Sequence, residues 1–382
     1  MRTHKHLSAA AAGAVVLALS LSACGGRDDS DGDKTGSAPA PGASGSGSAA
    51  AGGFAKDSVI GVSLPQKTSE NWVLAENLFK TDLKAAGYKP NVQFANGGVS
   101  EQQNQISSMV TNGAKVIVIG AIDGSQLNTQ IKQAHDAGAI VIAYDRLLLN
   151  TPNVDYYVAY DNFKVGELQG QALLDGMKAK KPNGPYNIEL FAGSPDDANA
   201  KVFFDGAMKV LQPKIADGTV NVVSGQKSFN QAVTQGWKPE NAQKRMDTLL
   251  SANYGGSKTI DGVLSPNDTL ARAILTSTKS AGKPNPIVTG QDSEVESIKS
   301  IMAGVQYSTI NKDTRNLVKQ AVKMVGQLQA GQKVDVNDTK SYNNKVKIVP
   351  SFLLPPQIVT KANAKEAYAN DPTLSKIVNA GG

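Results

Sequence analysis

Lys115-Val116-Ile117-Val118-Ile119-Gly120, then a polar turn, then a helical stretch from Ser125 to Ala137, then Ile140-Val141-Ile142-Ala143: this strand–helix–strand run decides the fold. Both apolar runs are short, continuous and β-branched, as expected of strands buried on two faces. The same unit repeats outward in both directions. Upstream, Val59-Ile60-Gly61-Val62 precedes a helix from Glu70 to Ala86, on which Trp72, Ala75, Phe79 and Leu83 recur at helical spacing. Val92-Gln93-Phe94 then precedes a helix near Glu101 to Thr111. Downstream, a second set opens at Tyr186-Asn187-Ile188-Glu189-Leu190-Phe191. It continues through Val220-Asn221-Val222-Val223, Ile260-Asp261-Gly262-Val263-Leu264 and Pro286-Ile287-Val288-Thr289, each followed by a helix. The reading is α/β: two doubly wound parallel sheets in separate domains, with a cleft between them. Ligands of such sheets bind beyond the carboxyl ends of the strands, so those ends carry the functional information.

The strand ends read Tyr144-Asp145-Arg146, Tyr160-Asp161-Asn162, Ser194-Pro195-Asp196-Asp197, Ser265-Pro266-Asn267-Asp268 and Gly290-Gln291-Asp292. Taken singly, each Asp or Asn reads first as a helix N-cap. Taken together, carboxylate, amide and guanidinium groups from both sheets suit the paired hydroxyls of a sugar, which planar forks engage two at a time. The two tryptophans, Trp72 and Trp237, offer flat apolar faces for the C–H side of a pyranose. Core filling is the other reading, and it fits Trp72, on a helix face, better than Trp237, in the turn Gln235-Gly236-Trp237-Lys238-Pro239. A glycosidase also needs carboxylates, but no pair here stands out as acid and nucleophile.

Composition removes other chemistries. The formal net charge is +6, and Arg2 and Lys5 of that excess lie in the N-terminal leader. The remaining lysines form no dense patch, which excludes a nucleic-acid surface. Cys24 is the only cysteine, and His135 is the only histidine beyond the leader. Disulfides, thiolate clusters and histidine catalysis have nothing to build on. Asp335-Val336-Asn337-Asp338-Thr339 begins like a calcium loop but has Lys340 and Val346 where glycine and glutamate belong. No Walker sequence is present, and the Gly45–Ala50 match to a dinucleotide fingerprint lacks the strand and helix it requires. No metal, cofactor or catalytic residue is expected.

The N-terminal region reads as an export signal. A basic start at Arg2, His4, Lys5 and His6 leads into the apolar stretch Leu7 to Leu21 and closes at Leu21-Ser22-Ala23-Cys24. That ending resembles a bacterial lipobox, whose cysteine is lipidated and becomes the new N-terminus. Residues 1–24 are then a lipoprotein signal peptide. Residues 25–55, rich in Gly, Ser, Ala and Pro, form a disordered tether.

From about Ser58 to Thr360 the chain resembles the periplasmic-binding-protein type I receptors of bacterial sugar importers, nearest the xylose-binding and multiple-monosaccharide-binding branch. Ile142–Arg146, Asp161–Gly166, Gly193–Asp197, Ser265–Asp268, Gly290–Asp292 and Val349–Ser351 carry the resemblance. It implies two domains, 56–160 with 311–349 and 161–310 with 350–382, joined by crossovers near Tyr160, Ile310 and Pro350 and closing on the ligand. It assigns ligand contacts to Trp72, Asp145 and Arg146 in the first domain. Asn199, Trp237, Asn267 and Asp292 come from the second, and Lys312 from a hinge, with Asp197 as a further contact. Asn71 stands where relatives carry Arg, and Lys67 is the candidate replacement for that charge. The implied protein is a monomeric binding protein, not an enzyme. It delivers xylose, glucose, galactose or arabinose to the permease of an ABC importer with a separate ATPase, from the outer face of the membrane. A secreted sugar-acting enzyme and a sensor working through a membrane receptor are the alternatives.

Overall fold

The computed structural model describes residues 53–67 and 69–381, all within one unit, Ala50–Gly382. The signal peptide, Cys24 and most of the expected tether lie outside the described residues. Phe54, assigned by sequence to the tether, packs on the body instead. Its ring lies 6.3 Å from that of Tyr88, and its carbonyl accepts from Gln329 Nε2 at 2.9 Å.

The strands in chain order begin with β1 (Val59–Leu64), β2 (Lys89–Phe94), β3 (Val116–Ile119), β4 (Ile140–Tyr144) and β5 (Tyr156–Tyr160). β6 (Tyr186–Leu190), β7 (Val220–Val222), β8 (Gly262–Leu264) and β9 (Ile287–Val288) follow. Last come β10 (Ser308–Asn311), β11 (Ser351–Leu354) and β12 (Gln357–Thr360). The first sheet runs β11-β5-β4-β3-β1-β2 and the second β7-β6-β8-β9, while β10 and β12 form an antiparallel pair. All ladders of the two larger sheets are parallel.

Period-two alternation explains why both faces of the first sheet are covered. Val116 and Val118 of β3 and Ile142 and Tyr144 of β4 face one core with Phe79 and Val318. Ile117, Ile119, Val141 and Ala143 face the other core with Ile106 and Ile131. The helix Glu70–Ala85 buries the expected stripe of Trp72, Ala75, Phe79 and Leu83. The helix expected from Ser125 starts at Asn128, because Asp123 accepts from Ser125 N and Ser125 Oγ and holds a turn there. His135 is exposed on that helix. In the second lobe the helices Asn162–Lys180 and Ala198–Ala216 approach closely. A Cβ on Gly166 would stand 2.0 Å from the carbonyl oxygen of Phe203. Glycine is required at that crossing.

The chain crosses between lobes after β5, after β10 and after β11. The third crossing falls at Pro355-Pro356 and not near Pro350, because Ser351–Leu354 completes a ladder with Tyr157–Tyr160 in the first sheet. The segment 350–354 therefore belongs with the first lobe. No helix among the described residues is long and apolar enough to cross a membrane.

Candidate functional site

Loops at the carboxyl ends of both sheets meet in a cleft holding about 450 Å³ of empty space, part of it open to solvent. Trp72, Asp145 and Arg146 line it from the first lobe. Asn199, Trp237, Asn267 and Asp292 line it from the second, with Lys312 following β10. Asn71 and Asp197 also line it. Lys67 does not: its ammonium is 3.6 Å from Glu76 and 4.6 Å from the Phe94 ring centre. It therefore does not replace a guanidinium beside Trp72. Ser69, Phe203 and Gln291 line the cleft as well and were not singled out by sequence. Phe203 carries no signal that separates it from a core residue on its helix. Gln291 lay inside a quoted strand end without being chosen.

Three lining residues have left-handed backbone: Asp145 (φ 61°), Trp237 (φ 54°) and Asp292 (φ 95°). Such conformations cost about 1–3 kcal/mol each and persist where surrounding bonds enforce them. The amide of Asp145 donates to Val158 O at 2.8 Å, and that of Asp292 donates to Ile310 O at 3.0 Å. The Trp237 turn is fixed by Gly236 N donating to Ser194 Oγ at 2.7 Å. These bonds aim two carboxylates and one indole into the cleft.

Asp197 connects the two lobes. Its Oδ1 caps the helix Ala198–Ala216 by accepting from Asn199 N at 2.9 Å. Its Oδ2 accepts from Trp237 Nε1 at 3.1 Å and stands 3.0 Å from Arg146 Nε. Arg146 Nη1 donates to Ala121 O at 3.0 Å, and the guanidinium lies 5.4 Å over the Trp72 ring. Only Nη2 has no partner among the described residues. Asn199 Nδ2 reaches back across the cleft to Asp145 O at 2.7 Å. Asn267 Oδ1 caps its own helix through Leu270 N at 2.9 Å. Capping and cleft lining are thus both true of Asp197 and Asn267.

Arg146 with Asp197 and Lys312 with Asp292 form two ion pairs in the cleft. Lys312 Nζ is 3.0 Å from Asp292 Oδ1, with both side chains about nine-tenths buried (9% exposed). Burial works against the charge of Lys312, but Asp292, Asp145 and Asp197 outweigh it and hold the ammonium above its usual pKa. Burial raises the carboxyl of Asp145 above the ordinary range despite the pull of Lys312 and Arg146. Trp72 is 4% exposed and packs edge-on to Tyr144 at 6.2 Å. It serves as core and as cleft wall at once. The arrangement is two indoles facing fixed hydrogen-bonding groups of both polarities.

Comparison with known proteins gives a consistent relationship. A periplasmic binding protein domain family matches residues 60–333. The chain is 50% identical over 316 residues to the multiple sugar-binding periplasmic receptor ChvE of Rhizobium radiobacter, covering 81% of this chain and 89% of that protein. It is 37% identical over 318 residues to the D-xylose-binding periplasmic protein of Escherichia coli, covering 83% and 91%. Among solved structures, an ABC transporter solute binding protein from Clostridium phytofermentans with bound β-D-glucose matches with a TM-score of 0.79. It has 39% identity, with 82% of this chain and 98% of that chain covered.

Proposed function

The chain belongs to the periplasmic binding protein domain family, and on that basis we propose that it captures a monosaccharide outside the cytoplasm for an ABC importer. It is a binding protein and not an enzyme. The observation that carries this reading is the cleft itself, where two indoles and two buried ion pairs from both lobes converge on one space. Apolar ring faces would stack on Trp72 and Trp237, while hydroxyls bond to Asp145, Arg146 Nη2, Asn199, Asn267 and Asp292. Asp197 acts through Trp237 and Arg146 more than by direct contact. Xylose and glucose are the leading ligands, since similar proteins bind them. Asn71 presents a shorter, uncharged group than Arg at the cleft edge and bears on which sugar is preferred.

Equilibrium dialysis against radiolabelled D-glucose and D-xylose tests binding and chemistry together. One sugar should be retained by the protein and recovered unchanged after prolonged incubation. Conversion of either sugar would require the enzyme reading instead.

The proposal extends to the leader. Lipid on Cys24 would hold the receptor at the outer face of the membrane, near its permease. Cys24→Ala is expected to move the protein from the membrane fraction to the soluble fraction with sugar affinity unchanged. A variant that stays membrane-bound, held by Leu7 to Leu21, would reject the lipobox.

A further inference from the structure

Besides the bonds within the site, others join the lobes outside it: Arg315 Nη2 donates to Asp371 Oδ2 at 2.6 Å, and Glu70 makes another. Glu70 Oε2 accepts from the backbone N–H of Val295 at 2.9 Å, joining residues 225 positions apart. Glu70 is the first residue of the helix Glu70–Ala85 in the first lobe, and Val295 is the first of the helix Val295–Met302 in the second. Two helix N-termini therefore face each other across the cleft mouth with one carboxylate between them. A carboxylate there is favoured by both helix dipoles and satisfies one of the orphan N–H groups of the second helix. The neighbouring N–H of Glu294 is already taken by Asp268 Oδ2 at 3.0 Å, and Glu294's own carboxylate by Arg272 at 2.6 Å and by Thr269. Val295 N–H is thus the group left for the opposite lobe.

Position makes this bond consequential. Asn71 and Trp72 follow Glu70 directly, and Asp292 lies three residues before Val295. Each end of the bond therefore sits beside a segment that lines the cleft. Glu70 itself does not line it. Within the cleft, Arg146–Asp197 and Asn199–Asp145 fasten the walls at another edge.

We propose that Glu70 is a positioning residue of the binding site, a latch that holds the Trp72 segment against the Asp292 loop once the lobes close. This rests on the monosaccharide reading for its ligand, though not for the latch itself. The bond forms only when the lobes are together, so it slows opening and leaves the encounter of sugar with the open cleft unaffected. Its effect belongs to the dissociation rate.

The test is stopped-flow tryptophan fluorescence on the full chain with D-glucose and D-xylose, together with small-angle X-ray scattering of each protein without sugar. Glu70→Ala should raise the dissociation rate about tenfold, with the association rate changed less than about twofold. Glu70→Gln keeps an acceptor oxygen without the charge and should fall between the two, which a merely structural helix-start role would not produce. The sugar-free Ala variant should also have the larger radius of gyration. Unchanged dissociation in Glu70→Ala, or a loss explained wholly by a slower association, overturns the latch. If neither sugar binds the wild-type chain, the sugar reading fails and scattering alone decides. An equal radius in wild type and Glu70→Ala then rejects the latch.

Discussion

Asp292→Ala is expected to weaken monosaccharide binding by about 100-fold or more while the protein stays folded. The reason is what remains behind. Lys312 would keep its burial and lose the carboxylate 3.0 Å away. Removing one partner of a buried ion pair costs about 3–5 kcal/mol, and each 1.4 kcal/mol is a tenfold change in affinity. In an open cleft, water can reach the ammonium, so the penalty falls mainly on the closed, ligand-bound form. Binding then suffers more than folding. Arg146→Ala should act alike from the other lobe, leaving Asp197 buried without its guanidinium. Calorimetric titration beside circular dichroism checks both variants. Wild-type affinity in a well-folded Asp292→Ala protein would reduce Asp292 to a loop residue that satisfies Ile310.

Gly193→Ala is expected to reduce binding by at least about tenfold through Trp237 alone. A Cβ at this position would stand 2.1 Å from Cη2 and 2.2 Å from Cζ2 of that indole, distances at which the ring must move. Gly193 does not have positive φ, so alanine brings no backbone strain and the effect is steric. The displaced ring loses its bond to Asp197 at 3.1 Å, and with it the register of the Asp197–Arg146 pair. Trp237→Phe should be milder, since it removes the bond and part of the stacking area without pushing on a neighbour. Affinity measured alongside the thermal midpoint separates the outcomes. Unchanged affinity in folded Gly193→Ala would mean that the indole is not a wall of the ligand site.

The alternation of strands and helices was readable because buried parallel strands repeat one pattern, and the pairing of β3 with β4 follows from it. The edge was less readable. Ser351-Phe352-Leu353-Leu354 joins the first sheet only by pairing with β5, almost 200 positions upstream, and no local pattern encodes a partner so distant. The residues of the cleft were legible where chemistry and position coincide, at strand ends rich in Asp, Asn and Arg. Their occupations were not. Sequence offers Arg146 as a free fork, whereas its guanidinium is largely committed to Asp197 and to the carbonyls of Ala121 and Ile122. Lys67 failed for a related reason. Spacing placed it near Trp72 but could not show that Glu76 and Phe94 hold it aside. Phe203 was hidden because an apolar residue facing a cleft and one facing a core have the same periodicity.

Enclosure of one monosaccharide by the cleft between the lobes is tested most directly by isothermal titration calorimetry of the full chain with D-glucose and D-xylose. At least one of these sugars should bind saturably with one site per chain, and Asp292→Ala should shift the isotherm to binding weaker by about 100-fold or more. The heat-capacity change should be negative, as expected when ring faces and indoles leave water together. No saturable binding of either sugar to folded wild-type protein, or the same isotherm from Asp292→Ala, would contradict the account.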